Sequence, residues 1–313
     1  MRFYTNVQMV GNNFLVREVV DGKRSIFKEE YSPTLFVKSN KNTKYKTLEG
    51  ESVEPIQPGS VRDCREFIKK YDGVEGFKIY GNDRYVFQYI SDKYPQDEVK
   101  FDIKHINLVT MDIEVKSEQG FPDPQACSEE MLTISLQDYA TKQITTWGRK
   151  PYTPTQDNVK YYYFEDEIEM LNSFLYHWSK NPPDVITGWN VRLYDIPYLC
   201  GRISRIMGDK KLKLMSPWGL VTQDEIYITG RKFYVYDIAG MKKLDHSEFD
   251  TFKDFYTGNW KKFVDYNIID VELVDRMEDK MKLIELALTM AYDAKVNYQD
   301  IMFQVRTWDT IIY

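Results

Sequence analysis

The stretch LVTMDIEV, residues 108–115, sets the reading of this chain. Leu108, Val109, Met111, Ile113 and Val115 make an apolar strand, and the strand carries two acids, Asp112 and Glu114. On a strand, residues i and i+2 point to one face. Two carboxylates on one face of an apolar strand repel each other if both are buried and charged, and a metal ion removes that conflict. The alternative is the exposed end of a strand, and a lone Asp-x-Glu does not separate the two.

Around this strand the pattern is mixed α/β. Leu132–Leu136, Ile144–Trp147 and Tyr161–Phe164 read as further strands. Residues 165–179 read as a helix, with Ile168, Leu171, Phe174, Leu175 and Trp178 at helical spacing, stopped by Asn181-Pro182-Pro183. Asp184–Trp189 is a strand that turns into a helix ending near Met207. Glu225–Ile228 and Lys232–Tyr236 form a projecting hairpin through Thr229-Gly230-Arg231, and a long helical pattern runs from Trp260 to Ala291.

Upstream lies a smaller α+β region. Phe14–Val20 and Arg24–Tyr31 flank Asp21-Gly22 as a hairpin, and Leu35–Val37 and Arg84–Ile90 are strands. Residues 39–59 read as loop. Ser60 caps a helix through Tyr71, with Asp63 at the capping-box position.

Composition excludes several classes. Hydrophobic residues at 42% and charged residues at 29% give a chain able to build a core, which excludes wholesale disorder. Cys64, Cys127 and Cys200 are too dispersed for a disulfide framework or a zinc site and suit a reducing compartment, so a cytoplasmic location is expected. No apolar run is long enough to span a membrane. The net charge of −6 argues against a basic coat for nucleic acid. Its distribution is uneven: residues 1–107 hold 18 Lys/Arg and 16 Asp/Glu, whereas residues 108–313 hold 24 and 32. Residues 200–235 reverse the trend, with seven basic residues and three acidic ones.

Two further groups could join Asp112 and Glu114. Asn190 and Asp195 lie where a strand hands over to a helix, a usual ligand position in α/β folds, although Asp195 also suits a helix cap. Tyr266 and Asp270 share a helix face at i and i+4, although acidic neighbours also suit a solvated surface.

Taken in order, Asp-x-Glu, Asn-x-x-x-Tyr-Asp and Tyr-x-x-x-Asp resemble the three exonuclease motifs of DEDDy nucleases. The words DIEVKSEQGFPDP (112–124), ITGWNVRLYDIPYL (186–199), YNIIDVELV (266–274) and VRTWDTIIY (305–313) resemble family B DNA polymerases of T-even-type phages and related cyanophages, over nearly the whole chain. The resemblance implies an α+β N-terminal domain at 1–107 and an RNase H-like 3′→5′ proofreading exonuclease at 108–283. It also implies a segment at 284–313 that returns to the N-terminal domain and leads to a palm. Carried over by motif, it implies metal ligands Asp112, Glu114, Asp195 and Asp270, and Tyr266 as the residue orienting the attacking water. The cofactor implied is a pair of Mg²⁺ ions, with Mn²⁺ as a substitute. Phe121 resembles a wedge beside the terminal base; Asn190 resembles a support for the second motif or a contact to the strand. Arg231 and Lys232 resemble phosphate contacts on a strand-separating hairpin. The partner implied is DNA, as a single-stranded 3′ end or a primer–template, with RNA at the N-terminal domain as a further expectation.

Two departures shape that expectation. The palm and fingers motifs are absent, which points to a fragment or to a split polymerase completed by a second chain. After Met241 the sequence passes directly to KKLDHSEFD (242–250), where the family has an LDxxDLYxKF-like strand. An exonuclease shortened near 241–242, with an unpaired sheet edge, is therefore expected to be weakened or misassembled. A nucleic-acid-binding fragment is the corresponding alternative to a working nuclease, and a free-standing nuclease is a third reading.

Overall fold

The computed structural model describes residues 1–95, 99–118, 120–229, 231–239, 241–246 and 259–302, with backbone alone at 231, 242–246 and 302. These fall into two compact units, one of residues 1–101 with the segment from Thr289, the other of residues 102–288.

In the first unit, β1 (Arg2–Val10), β2 (Asn13–Val20) and β3 (Lys23–Glu30) form an antiparallel meander. The β2–β3 turn is Asp21-Gly22, with φ of 49° and 77° as a tight hairpin requires. A second sheet orders β5 (Tyr45–Lys46), β6 (Ser52–Ile56), β4 (Leu35–Lys38) and β7 (Ile79–Tyr80). Residues 39–59 are thus not all loop, because β6 pairs with β4 despite its Pro55 and polar residues. Helix α1 (Val61–Tyr71) carries the capping box of Ser60 and Asp63 as expected.

The expected strand Arg84–Ile90 is instead helix α2 (Tyr85–Lys93). Its aromatic, β-branched composition suits a strand, but tertiary packing selects the helix. Tyr89 stacks on Phe14 at 4.7 Å, and the Gln88 side chain bonds both the N–H and the carbonyl of Thr34. The segment from Thr289 is tied to β1: Asn297 bonds the N–H and carbonyl of Val7, at 2.9 and 2.8 Å, as a neighbouring strand would.

The second unit is built on a six-stranded sheet ordered β11-β10-β9-β8-β12-β15. These are β8 (Leu108–Val115), β9 (Met131–Asp138), β10 (Ile144–Gly148), β11 (Val159–Tyr163), β12 (Val185–Trp189) and β15 (Lys242–His246). The antiparallel β10-β9-β8 meander continued by parallel β12 and β15 is the RNase H-like arrangement. On one face, helices α3 (Glu167–Lys180) and α4 (Asp195–Met207) cover Met111, Ile113, Ile134 and Trp147. α5 (Asp209–Leu212) and the hairpin β13 (Val221–Ile228)–β14 (Arg231–Ile238) follow.

The sheet edge next to β12 is not left open. Residues 242–246 pair with Val185–Trp189 in parallel, so the expectation of an unpaired edge is corrected: a short segment of different sequence takes that position. Residues 247–250 of the same quoted stretch lie outside the described residues.

The long helical pattern is two helices, α6 (Trp260–Met281) and α7 (Leu283–Asp293). Lys282 breaks it with φ of 55°, and the buried Glu278 carboxylate accepts from Ile284 N (2.8 Å) and Glu285 N (3.2 Å), capping α7. α6 packs Val264, Ile268 and Val271 against Ile144 and Val159, on the sheet face opposite α3.

Candidate metal centre

β8 lies inside the sheet, with β9 on one side and β12 on the other. Its alternation sends Met111, Ile113 and Val115 into the α3–α4 core and leaves Asp112 and Glu114 half-buried. Pairing of β8 with β12 is registered as far as Thr110–Thr187. At the next residue, Gly188, a Cβ would stand 2.3 Å from the Met111 carbonyl oxygen, so only glycine lets the two strands approach there.

Three of the four expected carboxylates converge. Asp112, Glu114 and Asp270 each offer an oxygen, and these oxygens lie within 4.8 Å of one another. Asp270 reaches the cluster from α6 and accepts a hydrogen bond from Tyr266 one turn earlier. Asp195 stands outside that triad. It is the first residue of α4, and its Oδ1 accepts from Ile113 N–H at 3.1 Å. The reading of Asp195 as a helix cap is not what the structure has, because Tyr194 occupies the cap position.

The electrostatics follow from this crowding. Burial, then the charges of Asp195, Glu114 and Asp270, hold the Asp112 carboxyl well above the usual range, opposed by a hydrogen bond from Asn267. Burial and the charges of Asp270 and Asp195 push Glu114 up to about 8. Burial raises Asp270 as well, with Tyr266 working against it. Burial, then the charge of Asp270, pushes the Tyr266 phenol upward. Among the described residues, the charges that act most strongly on Asp112 and Glu114 are those of other carboxylates. An all-oxygen donor set of crowded negative charge fits a hard divalent cation.

The remaining expected residues are placed differently. Phe121 is 55% exposed, and its ring lies 4.8 Å from that of Tyr194, beside Asp195. Asn190 has φ of 56°, and its carbonyl accepts from Leu193 N and Tyr194 N, so its backbone shapes the turn into α4. Lys232 pairs with Glu225 at 2.5 Å and covers the Tyr234 ring. Arg231 opens β14 opposite Ile228, and its side chain lies outside the described residues.

The basic stretch 200–235 does not form one surface. Arg202 is buried and bidentate to Glu167, and it also donates to the carbonyls of Cys127 and Ser128. Arg205 donates to the Ala126 carbonyl, and Lys211 to Asn172. Arg202 and Arg205 thus hold the loop bearing Phe121 onto α4, a role that net charge along the sequence cannot reveal.

Asn267 stands inside YNIID, where motif spacing alone does not single it out. It is fully buried and donates to Asp112, while Ser135 donates to its Oδ1. The signal available was an amide among Phe263, Val264, Ile268 and Val271, on the helix face that packs inward.

Residues 80–261 match the family described as DNA polymerase family B, exonuclease domain. The chain is 28% identical to the DNA-directed DNA polymerase of Enterobacteria phage T4 over 369 residues, covering 99% of this chain and 40% of that protein. It is 28% identical to that of Escherichia phage RB69 over 371 residues, covering 99% and 41%. A shorter match, 32% identical over 107 residues, links it to the DNA polymerase catalytic subunit of Human herpesvirus 7 (strain JI), covering 31% and 10%. The chain spans about two fifths of the length of the two phage relatives. The T4 alignment is 56 positions longer than this 313-residue chain, so that relative carries residues with no counterpart here.

Proposed function

Because the chain belongs to DNA polymerase family B, matched through its exonuclease domain, we propose that it is the N-terminal and proofreading portion of a replicative polymerase. The reaction is hydrolysis of the last phosphodiester at a DNA 3′ end: water attacks phosphorus, the 3′ oxygen leaves with a proton, and a nucleoside monophosphate is released. The observation that carries this reading is the convergence of Asp112, Glu114 and Asp270, from a strand and a helix far apart in sequence.

Asp112, Glu114 and Asp270, completed by Asp195, would hold two Mg²⁺ ions, or Mn²⁺ in their place. Bound there, the ions supply a more acidic water and stabilise charge on the leaving oxygen. Tyr266, anchored to Asp270, orients the water. Phe121 and Tyr194 stack on the terminal base, Asn190 supports the turn beside it, and Arg231 and Lys232 meet phosphates once Lys232 exchanges Glu225 for DNA. DNA synthesis would call for a palm-bearing polypeptide, and adding one tests that point. The buried thiols of Cys64, Cys127 and Cys200 support a cytoplasmic site of action.

A 5′-labelled single strand incubated with the chain and Mg²⁺ should shorten stepwise, and Asp112→Ala should abolish the shortening. Retention of the strand without shortening would favour a binding fragment instead.

A second reading, RNA or template binding by the first unit, is favoured by a cleft of about 700 Å³. Tyr45, Tyr80, Phe87, Lys46, Lys78 and Arg84 are among its lining residues, a pairing of rings and cations suited to a single strand. Cross-linking of labelled RNA that Tyr80→Ala leaves unchanged would count against it.

A further inference from the structure

We propose that Asn267 is a positioning residue of the carboxylate centre, its amide locked in one orientation by a buried hydroxyl relay so that it aims the Asp112 carboxylate. The inference rests on the metal-dependent nuclease reading above.

The relay follows from strand register. Asp112 pairs with Ser135 on β9, and Ser135 pairs with Thr146 on β10. Residues directly opposite one another on neighbouring strands share a face, so three polar side chains stand in one row across three strands. Ser135 and Thr146 are fully buried. The next row, Ile113–Ile134–Trp147, is apolar throughout. A polar row in this position costs desolvation unless every group is satisfied.

Each group is satisfied in one direction. The Ser135 and Thr146 hydroxyl oxygens lie 2.7 Å apart, Ser135 donates to Asn267 Oδ1, and Asn267 Nδ2 donates to Asp112 Oδ2. A serine hydroxyl has one proton. Given to Asn267, it leaves Thr146 as the donor to Ser135. The amide oxygen is thereby engaged, and the NH₂ must face Asp112; a flipped amide would set its carbonyl against the carboxylate. The order Thr146, Ser135, Asn267, Asp112 is therefore a chain of donors ending on a metal-ligand candidate. While Asn267 holds Oδ2, Asp112 offers an oxygen within 4.8 Å of oxygens of Glu114 and Asp270.

Outer partners of this kind typically change metal affinity about 10- to 100-fold when removed. Asn267→Leu keeps the branched outline of the side chain, in a somewhat larger volume, and loses the donor, whereas Ser135→Ala leaves Asn267 in place and frees its amide to flip. Mn²⁺ binding by calorimetry, melting in chelator and shortening of a labelled single strand are measured for wild type, both variants and the double variant. Asn267→Leu should weaken Mn²⁺ binding about 10- to 100-fold. Ser135→Ala should weaken it less, and the double variant should be no weaker than Asn267→Leu, because Ser135 acts through Asn267. A lowered melt with an unchanged Mn²⁺ constant would mean a purely structural amide and would overturn the proposal, as would fully additive losses. If Asn267→Leu does not melt cooperatively, Ser135→Ala decides alone, and wild-type Mn²⁺ affinity there overturns it. A wild type that neither binds Mn²⁺ nor shortens DNA refutes the nuclease reading itself, whereas an active wild type matched by Asn267→Leu refutes the positioning role only.

Discussion

Replacing Glu114 with Gln isolates the charge of the site from its packing. Burial and the charges of Asp270 and Asp195 push Glu114 from 4.5 up to about 8, and among the described residues no hydrogen bond opposes them. In the metal-free folded chain this carboxyl therefore keeps its proton across that window, while the unfolded chain has released it. The folded state binds more protons, so stability is fully present below about pH 4.5 and is lost as pH rises toward 8. At about 1.36 kcal/mol per pH unit, the penalty is under ~1 kcal/mol at pH 5 and on the order of 3 kcal/mol at pH 7. Glu114→Gln escapes it. In chelator, urea unfolding followed by tryptophan fluorescence should find the variant more stable than wild type by these amounts. Millimolar Mg²⁺ or Mn²⁺ should narrow the gap, because wild type gains the larger binding energy. Equal stabilities at pH 7, or a gap that does not widen from pH 5 to pH 7, would refute the reasoning.

Three other outcomes are expected. Gly188→Ala sets a methyl against the Met111 carbonyl and should cost about 1–3 kcal/mol in urea unfolding, with reduced Mn²⁺ binding because the strand displaced carries Asp112. Arg202→Met leaves Glu167 buried without its partner and should cost about 3–5 kcal/mol, most of it recovered when Glu167→Leu is added. The same single variant should raise proteolytic cleavage within 116–130, the loop that Arg202 holds. Ser60→Ala removes the α1 capping box and should cost about 1 kcal/mol, without effect on the metal centre.

Much of this was legible without coordinates, because it rests on local periodicity. The strand 108–115, the Asp21-Gly22 turn, the cap at Ser60 and the helix ending at Met207 all follow from patterns within a few residues. The face shared by Asp112 and Glu114 follows from the two-residue repeat of a strand, and that of Tyr266 and Asp270 from a helical turn. Sequence also singled out Asp112 and Glu114, because acids in an apolar strand are costly and need a reason, whereas Asp195 and Asp270 stand out only through the order of motifs that resembles the family.

What the fold alone decided depends on neighbours distant in the chain. Tyr85–Lys93 is a helix because Phe14 and Thr34 receive it, although its composition suits a strand. Residues 242–246 complete the sheet because β12 presents an open edge, which no property of those five residues announces. Among the cations of 200–235, Arg202 makes a buried ion pair, Arg205 clamps a loop and Lys232 pairs within the hairpin, according to what packs against each. Asp195 turns to Ile113 N–H, and Asn267 to Asp112, because α4 and α6 arrive at the sheet at particular heights. Sequence by itself thus determined which groups carry charge and which face each takes; only tertiary packing decided which of them meet, since hydrogen bonds and repulsions between carboxylates act over a few ångströms that the chain closes only on folding.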